Sequence, residues 1–482
     1  MAYRYGNRNQ MNMFPQSIED YIPGNDPVRA YDAFVNALDF NELRIEIDPN
    51  KVGNSEYEPK AMLKLFVYGY SYGIKSSRKL ERATHHNLSF IWLMGDLKPD
   101  HKTIAEFRRK NKKALKEVLK QCARMCIKLD LIAGNVLFVD GTKIRANASA
   151  SRTHEKAWYE EKLKEVDQRI EQLLQECEDI DQQEENLGSS VEMAKELAKA
   201  EALKSTMEEV LIEFKETNRK KINQTDLDCA NMRSIQGKHA SYNVQSVVDD
   251  KNGLIVNAEA VNDTNDINQF ARQIDQANEV LEKSCEVACA DTGYADTEEL
   301  GKIDSQQIKV IVPSQQQGLH EGEKPFSKRE FLYDKDQDCY YCPEGNRLNL
   351  AGVEKKTGNK RYQITDKVLC FNCRHYGICT TGKLGRRIVR LHNEEIKEKL
   401  EAQYEQSASQ KIYSRRKDRV EHPFGHIKRN LKTDSFLMRG HDGVQAETSL
   451  LATCFNIVRM INILGVSQIT QKLKLIEVQA TG

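Results

Sequence analysis

Three acidic residues of this chain stand in settings that suit chemistry: Asp140 in FVDGTKI, Asp291 in ADTGY and Glu421 in DRVEHPFGHIK. Each aspartate closes a short apolar run, with Gly141 or Gly293 behind it. A strand core has no use for a charge. A carboxylate there must meet a cation, a metal or solvent, because burying it unpaired is costly. One such aspartate is most simply a turn residue, since Asp-Gly is a common turn signal. Two of them at strand ends can meet at one sheet edge, and a helix over that edge can deliver the glutamate. Three converging carboxylates repel one another unless cations hold them. Hard Mg²⁺ or Mn²⁺ takes oxygen ligands and keeps positions open for phosphate oxygens. Two such ions ~3.5–4 Å apart would activate one oxygen and stabilise the other in an in-line phosphodiester displacement.

The elements that must position these groups follow from composition and periodicity. The chain has 482 residues, which predicts several domains. Lys+Arg and Asp+Glu are both 72, so the net charge is zero and nucleic-acid binding has no global signature. Locally the charges segregate. Residues 101–119 hold seven Lys/Arg against two Glu, residues 411–432 eight against two acids, and residues 155–218 carry 19 acids and eight bases. The two basic clusters suggest phosphate-contacting surfaces. No apolar run reaches the length of a membrane span, and the start, MAYRYGNRNQMNMF, lacks a signal-peptide core. A soluble cytoplasmic protein is expected, with no membrane partner and with its twelve cysteines as thiols or metal ligands.

Residues 25–134 read as helices, with Ile104, Phe107, Leu115, Val118 and Leu119 on one stripe and the basic residues outside it. After the Asp140 strand, Leu163, Val166, Ile170, Leu173 and Cys177 repeat at helical spacing. NLGSS at 186–190 breaks the pattern, which Met193, Leu197, Met207, Leu211 and Phe214 resume. This predicts an acidic helical hairpin without chemistry of its own. From residue 238 the period becomes two: KHASYNVQSVVDD and LIVNAEAVN flank the turn DKNG as a β-hairpin. A helix with Asn265 as N-cap, the Asp291 strand and KVIVPS follow. DRVEHPFGHIKRNLK begins a helix with Pro423 in its first turn, and VQAETSLLATCFNIVRMINIL ends the core as a helix with a broad apolar face.

In this order the residues resemble the DDE transposases of bacterial insertion sequences, over nearly the whole chain. Residues 59–111 are similar to the helical N-terminal domain of one branch of that family. FVDGTKI matches the first-aspartate motif and ADTGY the second. YSRRKDRVEHPFGHIK resembles the Tyr-x2-Arg-x3-Glu-x6-Lys signature, in which Arg416 fits the spacing from Tyr413 and Lys417 the spacing to Glu421. The resemblance implies a mixed α/β fold: an RNase H-like catalytic core with a helical N-terminal domain, a helical hairpin insertion and a Cys-rich zinc-binding insertion. It implies Asp140, Asp291 and Glu421 as the catalytic, metal-binding triad, and Tyr413, Arg416, Lys417 and Lys428 as DNA contacts. The expected activity is binding of the element's terminal inverted repeats, nicking to free a 3′-hydroxyl, and its transfer to target DNA by a homo-oligomeric synaptic complex at the bacterial nucleoid. A nuclease without strand transfer and an inactive DNA-binding relic are the alternatives.

Five cysteines fall between residues 339 and 379. The C-x2-C pairs Cys339/Cys342 and Cys370/Cys373, 27 residues apart, resemble a zinc ribbon. The family pattern instead implies Cys342, Cys370, Cys373 and Cys379 as the structural zinc ligands. The other seven cysteines read as core residues. His422 and His441 read as surface or core histidines, His239 lies just before a strand with no role assigned, and FVYGYSYG (66–73) reads as helix packing. The expected domains are 1–134 helical and DNA-end-binding, 135–154, 223–334 and 384–482 catalytic core, 155–222 hairpin, and 335–383 Cys-rich insertion.

Overall fold

The computed structural model describes residues 17–47, 56–181, 187–234, 237–318 and 325–481, with side chains outside 177–191 and 478–481. The expectations placed on residues 1–14 and on Cys177 lie outside the described residues. The chain divides into two compact units: Met1–Asp266, Arg272–Cys285 and Lys417–Gly482 form the first, Ile267–Ala271 and Glu286–Arg416 the second.

The first unit opens with six helices: α1 (Val28–Asn36), α2 (Pro59–Ser71), α3 (Ser77–His86), α4 (Leu88–Leu93), α5 (His101–Lys110) and α6 (Lys112–Lys128). The aromatic run on α2 is packing, as predicted: Phe66, Tyr68 and Tyr70 are buried. The basic stretch bends at Asn111, whose side chain caps the carbonyl of Phe107. One of its cations is not outside at all. Arg108 is buried and donates to the carbonyl of Lys75 at 2.9 Å.

Strand β1 (Val136–Arg145) pairs antiparallel with β5 (Gly237–Asp249), which pairs antiparallel with β6 (Ile255–Val261) and, at its start, with β4 (Ala230–Ser234). The predicted hairpin is β5–β6. Asp140 does not end its strand: β1 runs on to Arg145, because pairing with β5 continues through Thr142↔Val244 to Arg145↔Ser241. Gly141 is therefore a strand residue, and its missing side chain has a packing cause. A Cβ there would stand 2.5 Å from Gln245 Nε2 and 2.7 Å from Asp266 Oδ1. The Asp266 carboxylate accepts from the amides of Asn243 and Gln245, both at 2.7 Å. That engagement also corrects the helix start expected at Asn265: α9 begins only at Phe270 and runs to Leu281, since Asp266 and its neighbours form turns.

Helix α15 (His441–Leu464) is buried on all sides over most of its length and packs on α6, α2 and β6. Its apolar composition is that of a central helix. Gln445 and Asn456 on α15 bond both backbone groups along the outer edge of β6, at Ala258, Ala260 and Ile255, covering the edge with amides. Among the described residues no single helix is long and apolar enough to cross a membrane; α15 passes only jointly with α16 (Val466–Thr481), across a 115° bend.

The acidic insertion is a helical pair, α7 (Lys156–Asp181) and α8 (Leu187–Glu216), closed at its base by β2 (Thr153–His154) and β3 (Ile222–Asn223). Tyr159, Met207, Val210 and Ile222 form its core. Residues 187–190 already belong to α8, so the helix resumes within the segment expected to interrupt it.

The second unit holds the parallel pair β7 (Val287–Cys289) and β8 (Lys309–Ile311), with α10 (Thr297–Asp304) between them and α11 (Gln315–Gly318) after them. The cysteine-bearing part is an antiparallel sheet ordered β13-β12-β11-β10-β9, from β9 (Leu332–Asp334) through β10 (Cys339–Tyr341), β11 (Arg347–Val353) and β12 (Lys360–Ile364) to β13 (Arg387–Arg390). The helices α12 (Lys367–Phe371) and α13 (Glu394–Glu405) flank β13 in sequence. Helix α14 (Ser407–Arg429), whose residues from Lys417 on belong to the first unit, starts well before Pro423, because SASQKIYSRRKD has no breaker. Pro423 is thus interior, and its missing N–H leaves the Arg419 carbonyl without the usual helical donor.

Two outcomes are expected. Gly141→Ala overfills the space held by Gln245 and Asp266 and should lower stability by about 1–3 kcal/mol, read as a shifted denaturation midpoint. Asp338 accepts from the hydroxyls of Tyr362 and Tyr333 and from Lys360, which hold its carboxyl down at about 2. Its contribution is therefore present above the ordinary carboxylate range and lost as pH falls from about 4 to about 2. Amide exchange in the 332–390 sheet should speed up across that window, and Asp338→Asn should remove the step.

Candidate active site

In the first unit the site is built on β1. Asp140 and Thr142 alternate with Gly141, so they share the face opposite the Asp266 network. Thr142 Oγ1 accepts a 2.6 Å hydrogen bond from Lys428 Nζ. Lys428 is half-buried; burial pulls its ammonium below the ordinary lysine range, and Asp434 and Asp140 oppose that shift. Asp140 and Lys428, 288 positions apart in the sequence, thus act on each other. Asp434 was missed by sequence reasoning: it lies in a plain loop, KTDSF, with no motif around it. It joins because residues 434–436 pair with the end of β1, through Phe436 N–H to Arg145 O at 2.9 Å and an isolated bridge from Ser435 to Arg145.

Helix α14 seats its apolar residues Val420, Phe424 and Ile427 in the core; Phe424 and Ile427 line a small cavity with Ile144, Val244 and Leu451. Glu421 is on its exposed side. His422 and His426 stand edge-on to Phe455, and burial lowers both below the ordinary imidazole range. His422 is exposed, as the surface reading allows, and His426 is half-buried beside it. His441 donates its backbone N–H to Asp228, and His239 sits within β5 rather than before it.

In the second unit Asp291 does follow a strand end. Its Oδ1 accepts the N–H of Gly293 at 2.8 Å, capping the turn Thr292–Tyr294. Its Oδ2 lies 3.9 Å from Arg416 Nη1. The Arg416 guanidinium is also 5.7 Å from the Tyr413 ring, which meets Tyr404 edge-on at 5.1 Å. Burial raises the Tyr413 hydroxyl above its ordinary range. Of the two cations that fit the signature spacing, Arg416 turns onto Asp291, while Lys417 is exposed to solvent.

Cys342, Cys370, Cys373 and Cys379 line one cavity of about 30 Å³ together with His375. The Cys379 thiol is pushed up by burial and by the other three sulfurs. Backbone N–H groups of Asn346, Arg386 and His375 point at Cys342, Cys370 and Cys373, at 3.3, 3.4 and 3.5 Å. Cys339 is buried in β10 and does not line that cavity. The cysteines expected to be core residues, apart from Cys177, are all buried. Among the described residues no three His, Cys, Asp or Glu side chains stand at metal-ligating positions, neither around the carboxylates nor around these thiols.

Residues 16–110 match the family described as Transposase domain (DUF772), and residues 341–461 match the Transposase DDE domain. No curated protein matches the chain. A similar solved structure is described as a piggyBac transposase synaptic complex with hairpin DNA, at 8% identity and a TM-score of 0.34, covering 95% of this chain and 80% of that one. The second family match takes in Glu421, Lys428 and the four clustered cysteines. With one transposase family matching the helical N-terminal region and another matching the glutamate-bearing helix, the chain is a DDE transposase, an enzyme of DNA transposition.

Proposed function

We propose that this transposase binds the terminal inverted repeats of its own insertion sequence, nicks them to free 3′-hydroxyls and joins these to target DNA. Asp140, Asp291 and Glu421 are its catalytic carboxylates. The observation that carries this reading is the division of labour on α14: Lys428 bonds the neighbour of Asp140, Arg416 faces Asp291, and Glu421 lies between them in sequence. The antiparallel run of β1, β5 and β6, followed by the parallel β7–β8 pair, supports an RNase H-like core.

Enzymes of this class work with divalent metal ions, and two Mg²⁺ or Mn²⁺ on these carboxylates would activate the attacking oxygen and stabilise the leaving one. The protein's own part is positioning. Lys428 gives up Thr142 for a phosphate oxygen beside the scissile bond, and its half-buried ammonium fixes that phosphate more firmly than an exposed lysine would. Arg416 holds the Asp291 carboxylate in place through charge, and Tyr413 backs the guanidinium with its ring. Lys417, exposed on the same helix, and the exposed cations Arg109, Lys110 and Lys113 around Asn111 meet the DNA backbone. Such contacts position a duplex without reading it. Synapsis of two ends calls for more than one copy of the chain.

The thiols of Cys342, Cys370, Cys373 and Cys379 fit a structural zinc by donor type, and the N–H groups aimed at three of them suit thiolates. Cys379 is the fourth ligand in preference to Cys339.

Asp140→Asn should abolish cleavage of a repeat-bearing duplex while leaving its binding within a few-fold; retained cleavage would refute the role. Lys428→Ala should weaken binding to specific and unrelated DNA alike, make the salt dependence shallower by about one unit, and lower cleavage more than binding. Unchanged slope and cleavage would make Lys428 a structural partner of Thr142 only. Elemental analysis of reduced, chelator-free protein should return about one zinc per chain, lost on Cys379→Ser and kept on Cys339→Ser.

A further inference from the structure

The five-stranded sheet of the second unit has one buried face, formed by Tyr340, Leu348, Tyr362, Ile364 and Ile388 with Phe331 and Cys370. Side chains alternate along strands, so the residues between these point to the other face. They are Tyr341 and Arg347, paired across β10 and β11; Asn349, Gln363 and Arg387, in register across β11, β12 and β13; Arg361, opposite Val389; and, at the β9 end, Leu332 opposite Tyr341 and Asp334 opposite the buried Cys339. Arg347, Arg361, Arg387 and Asn349 are exposed. Arg387 Nε donates to Gln363 Oε1 at 3.1 Å, and Asn349 donates to Thr365 at 2.7 Å, which orders the row without neutralising its charge.

The surrounding charge has the same sign. Residues 325–393 hold 14 Lys+Arg and 7 Asp+Glu, a difference of +7. Six cations elsewhere in this part pair with carboxylates: Lys328 with Glu394, Arg329 with Glu401, Lys335 with Glu395, Lys360 with Asp338, Arg374 with Glu344 and Arg390 with Glu398. Among the described residues no carboxylate forms an ion pair with Arg347, Arg361 or Arg387. Of the acids not in ion pairs, Asp334 accepts from the N–H groups of its own turn, Glu330 from Ser327, Glu354 from Thr357, and Asp366 from Val368. Away from the β9 edge, where Asp334 sits, the result is a face of guanidinium and amide groups around Val389 with an excess of positive charge. Such a set suits phosphate oxygens, and planar guanidiniums bind them in pairs.

We propose that this outward sheet face is a duplex-DNA-binding surface, separate from the catalytic carboxylates, which holds the phosphate backbone through Arg347, Arg361 and Arg387 with Asn349 and Gln363 as flanking donors. It rests on the proposed function only in that the substrate is DNA. Fluorescence anisotropy of the full chain is measured over a salt series on two duplexes of equal length, one repeat-bearing and one unrelated. In Arg361→Ala/Arg387→Ala, affinity should fall about tenfold or more on both duplexes and the salt slope should become shallower by about two units. Arg361→Lys/Arg387→Lys should recover most of that slope, which a loss of folding would not do. Wild-type affinity and slope in the double alanine variant, with wild-type protein binding DNA normally, overturn this surface and leave the transposase reading standing. A wild-type chain that binds neither duplex overturns both. Loss of cleavage in Asp140→Asn with the arginine-dependent binding intact separates the surface from the chemistry.

Discussion

The first unit is held in register by one buried charge. Glu447, on the central helix, has no exposed surface; it accepts the N–H groups of Leu437 and Met438 at 2.8 and 3.1 Å and faces Lys75 at 3.8 Å. Burial pushes the carboxyl up and the ammonium down, and each partner opposes the other's shift. A buried pair of this kind contributes little beyond a well-packed apolar substitute, but removing one partner typically costs about 3–5 kcal/mol, because a charge is left in the core. Lys75 also donates to Thr433 and Ser435, and its own carbonyl takes Arg108. A single contact set therefore ties the helical N-terminal region, the loop after α14 and α15 together. That loop pairs with the end of β1 and follows Lys428 directly, so the geometry beside Asp140 is inherited from a carboxylate that does no chemistry.

Around Asp140 the two faces of β1 are differentiated by size and charge. One face is packed by Gln245 and the Asp266 carboxylate so closely that position 141 has no room for a side chain. The other carries Asp140 and Thr142, with Lys428 reaching Thr142. Glycine behind the aspartate keeps the strand flat against a polar network, and the network in turn fixes which way the aspartate faces. The second unit treats its aspartate differently: Asp291 spends one oxygen on a turn amide and leaves the other near Arg416. Each aspartate keeps a carboxylate with a cation beside it, by unrelated local means.

Much of this was legible in the chain. Period-two runs marked β5 and β6, and helical spacing marked α6, α7 and α15, because burial of one face leaves a regular trace. The grouping of Glu421 and Lys428 was legible because they share one helix, where spacing is geometry; Tyr413 joins that helix only because it starts at Ser407. Less legible were boundaries set by distant partners. Asp140 looked like a strand end because the polar run after it, GTK, carries no apolar alternation; pairing with β5 extends the strand regardless. Asn265 looked like a cap, yet Asp266 is claimed by two amides of β5. Arg108 looked like surface charge and is a core donor.

By itself, then, the sequence determined the residue types available for chemistry, their order, and every relation that lies within one element or one short loop, such as the C-x2-C pair and the seven-residue gap from Glu421 to Lys428. Tertiary structure alone decided the relations between distant segments: that Lys428 meets Thr142, that Arg416 rather than Lys417 faces Asp291, and that Asp434 and Glu447 matter at all. The reason is physical. Spacing along a helix or strand is set by backbone geometry and can be read from a pattern, whereas a contact across hundreds of residues depends on which buried charges and packed faces are satisfied together, and no local pattern records that.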